Sequence, residues 1–171
     1  MSSESLKAIS PIDGRYFEKV KDLSAYFSEF ALIQYRVRIE IEYLIALSEG
    51  PLEAQLKDVR EKKSELRSIY KNFSLEEAKQ IKDIEREINH DVKAVEYFVK
   101  KSLEALNLSA HKEFVHFGLT SQDINNTSIP LCLKDSLEQV IYSELEQLIL
   151  RLKEIARDWK EITMLARTHG Q

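Results

Sequence analysis

From Ser24 onward the apolar positions take helical spacing: Phe27, Phe30, Val37, Ile41 and Leu44 form one stripe, widened by Ile33, Leu47 and several tyrosines. Gly50 and Pro51 end that helix. A second, more charged helix is predicted next, with Leu56, Val59, Leu66 and Ile69 as its sparse buried edge and an end near Asn72. Ser74 with Glu77 three residues on is a capping-box pattern, which places a third helix from Leu75 towards Glu87 and buries Ala78, Ile81 and Ile84. Asn89, His90 and Asp91 interrupt the pattern. Asp91 is predicted to cap a fourth helix carrying Val92, Val95, Val99 and Leu103, leaving Asn89 and His90 in a sharply turned connection.

Between Glu113 and Asn126 a short apolar run (Phe114, Val115, Phe117, Leu119) stops at Thr120 and Ser121, hydroxyl residues able to cap a helix. Leu137, Ile141, Leu145, Leu148, Leu152, Ile155 and Trp159 then trace the seam of one bundle helix of about 35 residues, ~50 Å long. Pro130 lies inside it, so that helix either kinks there or starts past it. A helix of that length needs neighbours, which are further helices of the same chain or other copies of it. The expected fold is all-α, with a small helical domain at residues 1–112 and the start of a long-helix domain at residues 113–171.

Composition agrees with this outline. The chain has 171 residues and 43% hydrophobic content, enough for a core, and only 4 Gly and 3 Pro, too little punctuation for a sheet protein with many turns. The formal charge of −4 comes from interspersed acidic and basic residues, so no basic face indicates nucleic acid as a partner. No apolar run approaches the ~20 residues that span a bilayer, which argues against a membrane protein. The single Cys132 cannot form an intrachain disulfide and the N-terminus lacks a secretory pattern, so the expected compartment is the cytoplasm.

Candidate chemistry lies in the polar corners. Residues 10–16 form a compact turn that sets Arg15 beside Tyr16. No Gly-rich phosphate loop and no Gly-x-Ser-x-Gly elbow occur, so any phosphate must be held by dispersed groups such as Arg15, hydroxyls and helix N-termini. His90 and His169 stand in polar corners open to a substrate, His111 reads as a surface residue, and His116 between Val115 and Phe117 reads as a packed histidine with one hydrogen bond. Glu87 with His90 and Glu113 with His116 repeat the Glu-x-x-His spacing of di-iron bundles, with Glu40 or Glu144 available to complete a ligand set. A di-iron protein or a non-catalytic helical oligomerisation module is therefore the alternative reading. Arg167, Thr168, His169 and Gly170 form a polar loop with nothing after Gln171 to bury it, which is expected of a fragment.

Four separated motifs stand in order: residues 10–16 (Ser-Pro-Ile-Asp-Gly-Arg-Tyr), residues 89–97, residues 114–126 and residues 167–171. Together they closely resemble the adenylosuccinate lyase family, in its bacterial form, within the fumarase and aspartase superfamily. The resemblance implies an all-α protein whose central bundle of very long helices assembles as a homotetramer, and a carbon-nitrogen lyase of purine biosynthesis. Its substrates would be adenylosuccinate, giving AMP and fumarate, and succinyl-aminoimidazole carboxamide ribotide, giving the carboxamide ribotide. No cofactor and no metal are implied. Carried over by motif, Arg15 and Tyr16 would bind the nucleotide end near its phosphate, and Asn89, His90 and Asp91 would form a second substrate corner with His90 close to the reacting centre. Thr120 and Ser121 would hold a succinyl carboxylate, Thr168 would touch substrate, and His169 would be the general acid. The family's base is a serine on a mobile, Gly- and Ser-rich loop that has no counterpart in these 171 residues, and family sites draw on three subunits, so this polypeptide alone is expected to be inactive.

Overall fold

The computed structural model describes residues 6–163. Among these every regular element is helical, which agrees with the all-α expectation. The chain divides into two compact units, one ending at Asp135 and one beginning at Ser136.

The first unit opens with short helical turns, α1 (Phe17–Val20), a 3-10 turn (Lys21–Leu23) and α2 (Ser24–Phe27), before its central helix α3 (Glu29–Glu49). The sequence pattern runs straight through Ser28, but the structure breaks there. Ser28 is extended, its Oγ accepts the Ala31 N–H at 3.1 Å, and Phe27, predicted to face the core, is 56% exposed. A serine able to cap offers the backbone an alternative to a continuous helix. Next come α4 (Lys57–Glu61) and α5 (Lys63–Lys71), two pieces where one helix was expected, then α6 (Leu75–Ile88) and α7 (Asp91–Ala105). The predicted capping box is present: Ser74 Oγ accepts the Glu77 N–H at 3.2 Å, and Glu77 Oε2 accepts the Ser74 N–H at 2.7 Å.

Val37, Ile41, Leu44 and Ile45 of α3 pack with Val95, Val99 and Leu103 of α7 in one buried cluster, which Leu66 and Ile81 also join. Phe73 closes it, 5.5 Å from Phe30 and edge-on to Phe98 at 5.8 Å. Outside the core, Glu42 of α3 accepts two bonds from Arg67 of α5, each 2.8 Å, and a third from Tyr70 at 2.7 Å. Leu44 is wholly buried, so Leu44→Ala is expected to cost about 2 to 5 kcal/mol, the range for truncating a core leucine. A fall in the urea midpoint at unchanged m would report it. A loss below ~1 kcal/mol would mean that the helices collapse onto the space.

After a 3-10 turn (Ser109–Phe114), α8 (Ser121–Ser136) begins directly at the predicted hydroxyls, so the start is not delayed past Pro130. The proline sits within α8 and cannot donate to the carbonyl one turn back. Ile124, Ser128 and Cys132 are its buried positions in the first unit. As the sequence pattern expects, residues 121–159 are helical without a break, but one π turn changes the hydrogen-bond register within the run. A π turn (Leu137–Ile141) and α9 (Tyr142–Trp159) follow α8, because the apolar repeat constrains which face is apolar and not the hydrogen-bond register along the helix. In the second unit, α9 buries no residue. Leu145, Leu148, Leu152 and Trp159 lie exposed along it at the predicted seam spacing.

Candidate functional site

Asn89 ends α6 in the left-handed region (φ 54°), donating its N–H to the Glu85 carbonyl at 2.7 Å. Asparagine tolerates this conformation better than most residues, and the reversal that it makes starts α7 at once. His90, not Asp91, is the capping residue: it is extended, and its Nδ1 accepts the Lys93 N–H at 3.1 Å. With Nδ1 used as an acceptor, a neutral His90 carries its proton on Nε2, the nitrogen that faces Ser121 Oγ at 3.4 Å. The ring is half exposed and so can present that N–H to a ligand.

Asp91 is the first residue of α7. Its Oδ1 accepts the Val92 N–H at 2.8 Å, and its Oδ2 lies 2.8 Å from Arg36 Nη2. Burial alone would raise this carboxyl, but the Val92 N–H and Arg36 outweigh it and hold Asp91 below the usual carboxylate range. Arg36, only 6% exposed, also donates from Nε to Asn125 Oδ1 at 3.0 Å. One guanidinium thus ties the start of α7 to α8, one turn in from its start.

Thr120 precedes α8 and gives both its N–H (2.7 Å) and its hydroxyl (3.0 Å) to Asp123 Oδ2, and these bonds hold Asp123 below the usual range. The Thr120 donors expected to meet a carboxylate are therefore satisfied within the chain, while the Ser121 hydroxyl faces His90. The turn ahead of them is held from α3. His116 is left-handed (φ 61°), as is Gly118 (φ 71°). His116 Nδ1 stands 2.6 Å from Glu40 Oε1, and Tyr43 donates its hydroxyl to the Phe117 carbonyl at 2.9 Å. Glu40 is wholly buried with Oε2 unpartnered, and burial pushes its carboxyl above the usual range against the pull of His116.

His116 is therefore the packed histidine that the sequence suggests, with Glu40 as its partner. His111 is less of a surface residue than expected, its ring largely covered and 3.3 Å from Asp58. The di-iron alternative finds no support, since among the described residues no three His, Cys, Asp or Glu side chains converge. Glu113 lies on a 3-10 turn and pairs with Lys100, and Asn89 breaks the helix between Glu87 and His90, so neither Glu-x-x-His pair shares an α-helical face.

Arg15 and Tyr16 lie on a separate exposed loop. The Asp13 carboxylate accepts the Ser10 N–H at 3.0 Å and the Pro11 carbonyl accepts the Tyr16 N–H at 2.8 Å, which closes the turn and sets the Arg15 guanidinium 5.9 Å from the Tyr16 ring. Among the described residues no hydrogen bond joins this loop to His90 or Ser121. Thr168 and His169 lie outside the described residues. Tertiary structure thus brings together His90, Asp91 and Ser121, and adds Arg36 and Asn125, which sequence reasoning missed, and Glu40, which it had offered only as a metal ligand. The available signal was a pair of charges, Arg36 and Glu40, one helical turn apart inside the apolar stripe of α3.

Comparison with known proteins extends the picture beyond geometry. A family model described as "Lyase" matches residues 14–171. The chain is 54% identical over 174 residues to an adenylosuccinate lyase of Dictyostelium discoideum, an alignment covering 98% of this chain and 37% of that protein. It is 44% identical over 176 residues to the adenylosuccinate lyase of Escherichia coli (strain K12) and 43% over 173 to that of Vibrio cholerae serotype O1, covering all of this chain and 38% of each relative. The chain thus spans well under half the length of these relatives.

Proposed function

The chain belongs to the lyase family, within the fumarase and aspartase superfamily, and from that premise we propose that the intact polypeptide carrying it is an adenylosuccinate lyase. It eliminates fumarate from adenylosuccinate to give AMP, and from succinyl-aminoimidazole carboxamide ribotide to give the carboxamide ribotide. The observation that carries this reading is the identity to adenylosuccinate lyases across essentially the whole chain. In the reaction a base removes a proton from one succinyl carbon, and the adjacent carboxylate takes up the developing negative charge. The carbon-nitrogen bond then breaks, its electrons pass to the nitrogen, and His169 protonates that nitrogen.

The remaining roles follow the same reading. Ser121 and Thr120 receive a succinyl carboxylate at the start of α8, for which Asp123 must release the Thr120 donors or the anion must rely on Ser121. His90 offers its Nε2 proton beside them, Asn89 and Asp91 complete that corner, and Thr168 touches substrate. Arg15 and Tyr16 take the nucleotide end. Residues 1–112 form the N-terminal domain and residues 113–171 begin the central bundle, whose base-bearing loop comes from elsewhere in the intact polypeptide. The exposed apolar stripe of α9 supports assembly with other long helices in a homotetramer, and a purine-synthesis enzyme of this kind works in the cytoplasm. Among the described residues no helix is long and apolar enough to cross a membrane.

Arg15→Ala in the intact polypeptide tests the substrate assignment. It is expected to raise KM for adenylosuccinate by the equivalent of about 1.5 to 3 kcal/mol, a charge-assisted hydrogen bond, with kcat little changed. A loss confined to kcat would contradict a phosphate-binding role.

A further inference from the structure

Two links run side by side between the start of α7 and the N-terminal part of α8. The outer one is loose and exposed: His90 Nε2 to Ser121 Oγ at 3.4 Å. The inner one is short and runs through the buried Arg36: Asp91 Oδ2 to Arg36 Nη2 at 2.8 Å, and Arg36 Nε to Asn125 Oδ1 at 3.0 Å. Their anchor points match. His90 and Asp91 are consecutive, and Ser121 and Asn125 stand one turn apart on the same helix. We propose that Arg36 is a positioning residue, whose buried guanidinium, forked to Asp91 and Asn125, sets the separation of His90 and Ser121.

The chemistry of the fork favours this role. A guanidinium is rigid and planar, so two of its donors fix two acceptors relative to each other, which a lysine ammonium on a flexible stem does not do. Arg36 is 6% exposed, and among the described residues its side chain bonds to Asp91 and Asn125. A buried cation held through two donors to two separate helices has little freedom to drift. Asp91 in turn has one oxygen on Arg36 and the other on the Val92 N–H, so it acts on a ligand through the position that it gives its neighbour His90.

The consequence for turnover rests on the lyase function proposed for the intact polypeptide. The consequence for geometry does not. In the intact polypeptide, Asn125→Ala removes one arm of the fork without leaving a buried charge, and Arg36→Met removes both. The expected result is a crystal structure of Asn125→Ala in which His90 Nε2 and Ser121 Oγ have left hydrogen-bond reach, and a kcat for adenylosuccinate lowered by up to about 10²-fold, with the smaller change in KM. Arg36→Lys, which keeps the charge and loses the fork, is expected to resemble Arg36→Met. A separation unchanged from 3.4 Å in Asn125→Ala overturns the proposal whatever the substrate, and so does full recovery by Arg36→Lys. If the separation widens while His90→Ala and Ser121→Ala leave turnover untouched, the positioning stands and the lyase assignment of this corner fails.

Discussion

In the intact polypeptide, His169→Ala is expected to lower kcat by about 10² to 10⁴-fold, the usual contribution of a general acid, while substrate binding largely survives. The reason lies in the bond that breaks. As the carbon-nitrogen bond of the succinyl group opens, negative charge builds on the purine-side nitrogen, and expulsion of an unprotonated amide-like nitrogen is unfavourable near neutral pH. An imidazole can take up and release a proton near neutral pH, which suits it to supply that proton. The loss corresponds to about 3 to 5 kcal/mol of barrier, more than one ordinary hydrogen bond contributes. Steady-state kinetics on both succinyl substrates, with fumarate release as the readout, decides the matter. Raised KM at unchanged kcat would make His169 a binding group. His90 is the control: its Nδ1 caps α7, so His90→Ala should reduce both kcat and thermal stability.

The 171-residue polypeptide alone is expected to show no turnover of adenylosuccinate, a larger effect than any single substitution. Elimination needs a base for the succinyl carbon, and the Gly- and Ser-rich loop that carries the family's serine base has no counterpart in a sequence with 4 glycines in all. Assembly adds a second requirement. Leu145, Leu148, Leu152 and Trp159 lie exposed along α9, an apolar stripe that other helices have to cover. Fumarate release at the 1 to 10³ s⁻¹ of ordinary enzymes by the purified 171 residues would refute this expectation.

Much of the local structure was legible because its signals are local. Ser74 and Glu77, three residues apart, satisfy each other's backbone donors and so mark the start of α6 wherever that helix packs. Asn89 announced a reversal because few side chains accept φ near 54°, and the alternation of Val92, Val95, Val99 and Leu103 defined the buried face of α7. Even there the capping acceptor was misassigned. Asp91 was the better capping residue by type, yet its carboxylate is drawn to Arg36 and His90 takes the cap.

The sequence by itself determined that this chain is helical, which faces of α3, α6 and α7 are apolar, where the polar corners fall and, through motifs in order, which family it joins. Only the tertiary structure decided what those corners rest on. Arg36 meets Asn125 across 89 residues and Glu40 meets His116 across 76. No periodicity encodes such partners. A buried charge reads in sequence as an exception on an apolar face, and its partner is chosen by whichever polar group the folded core brings within reach, because an unpaired charge there costs more than the fold can spare.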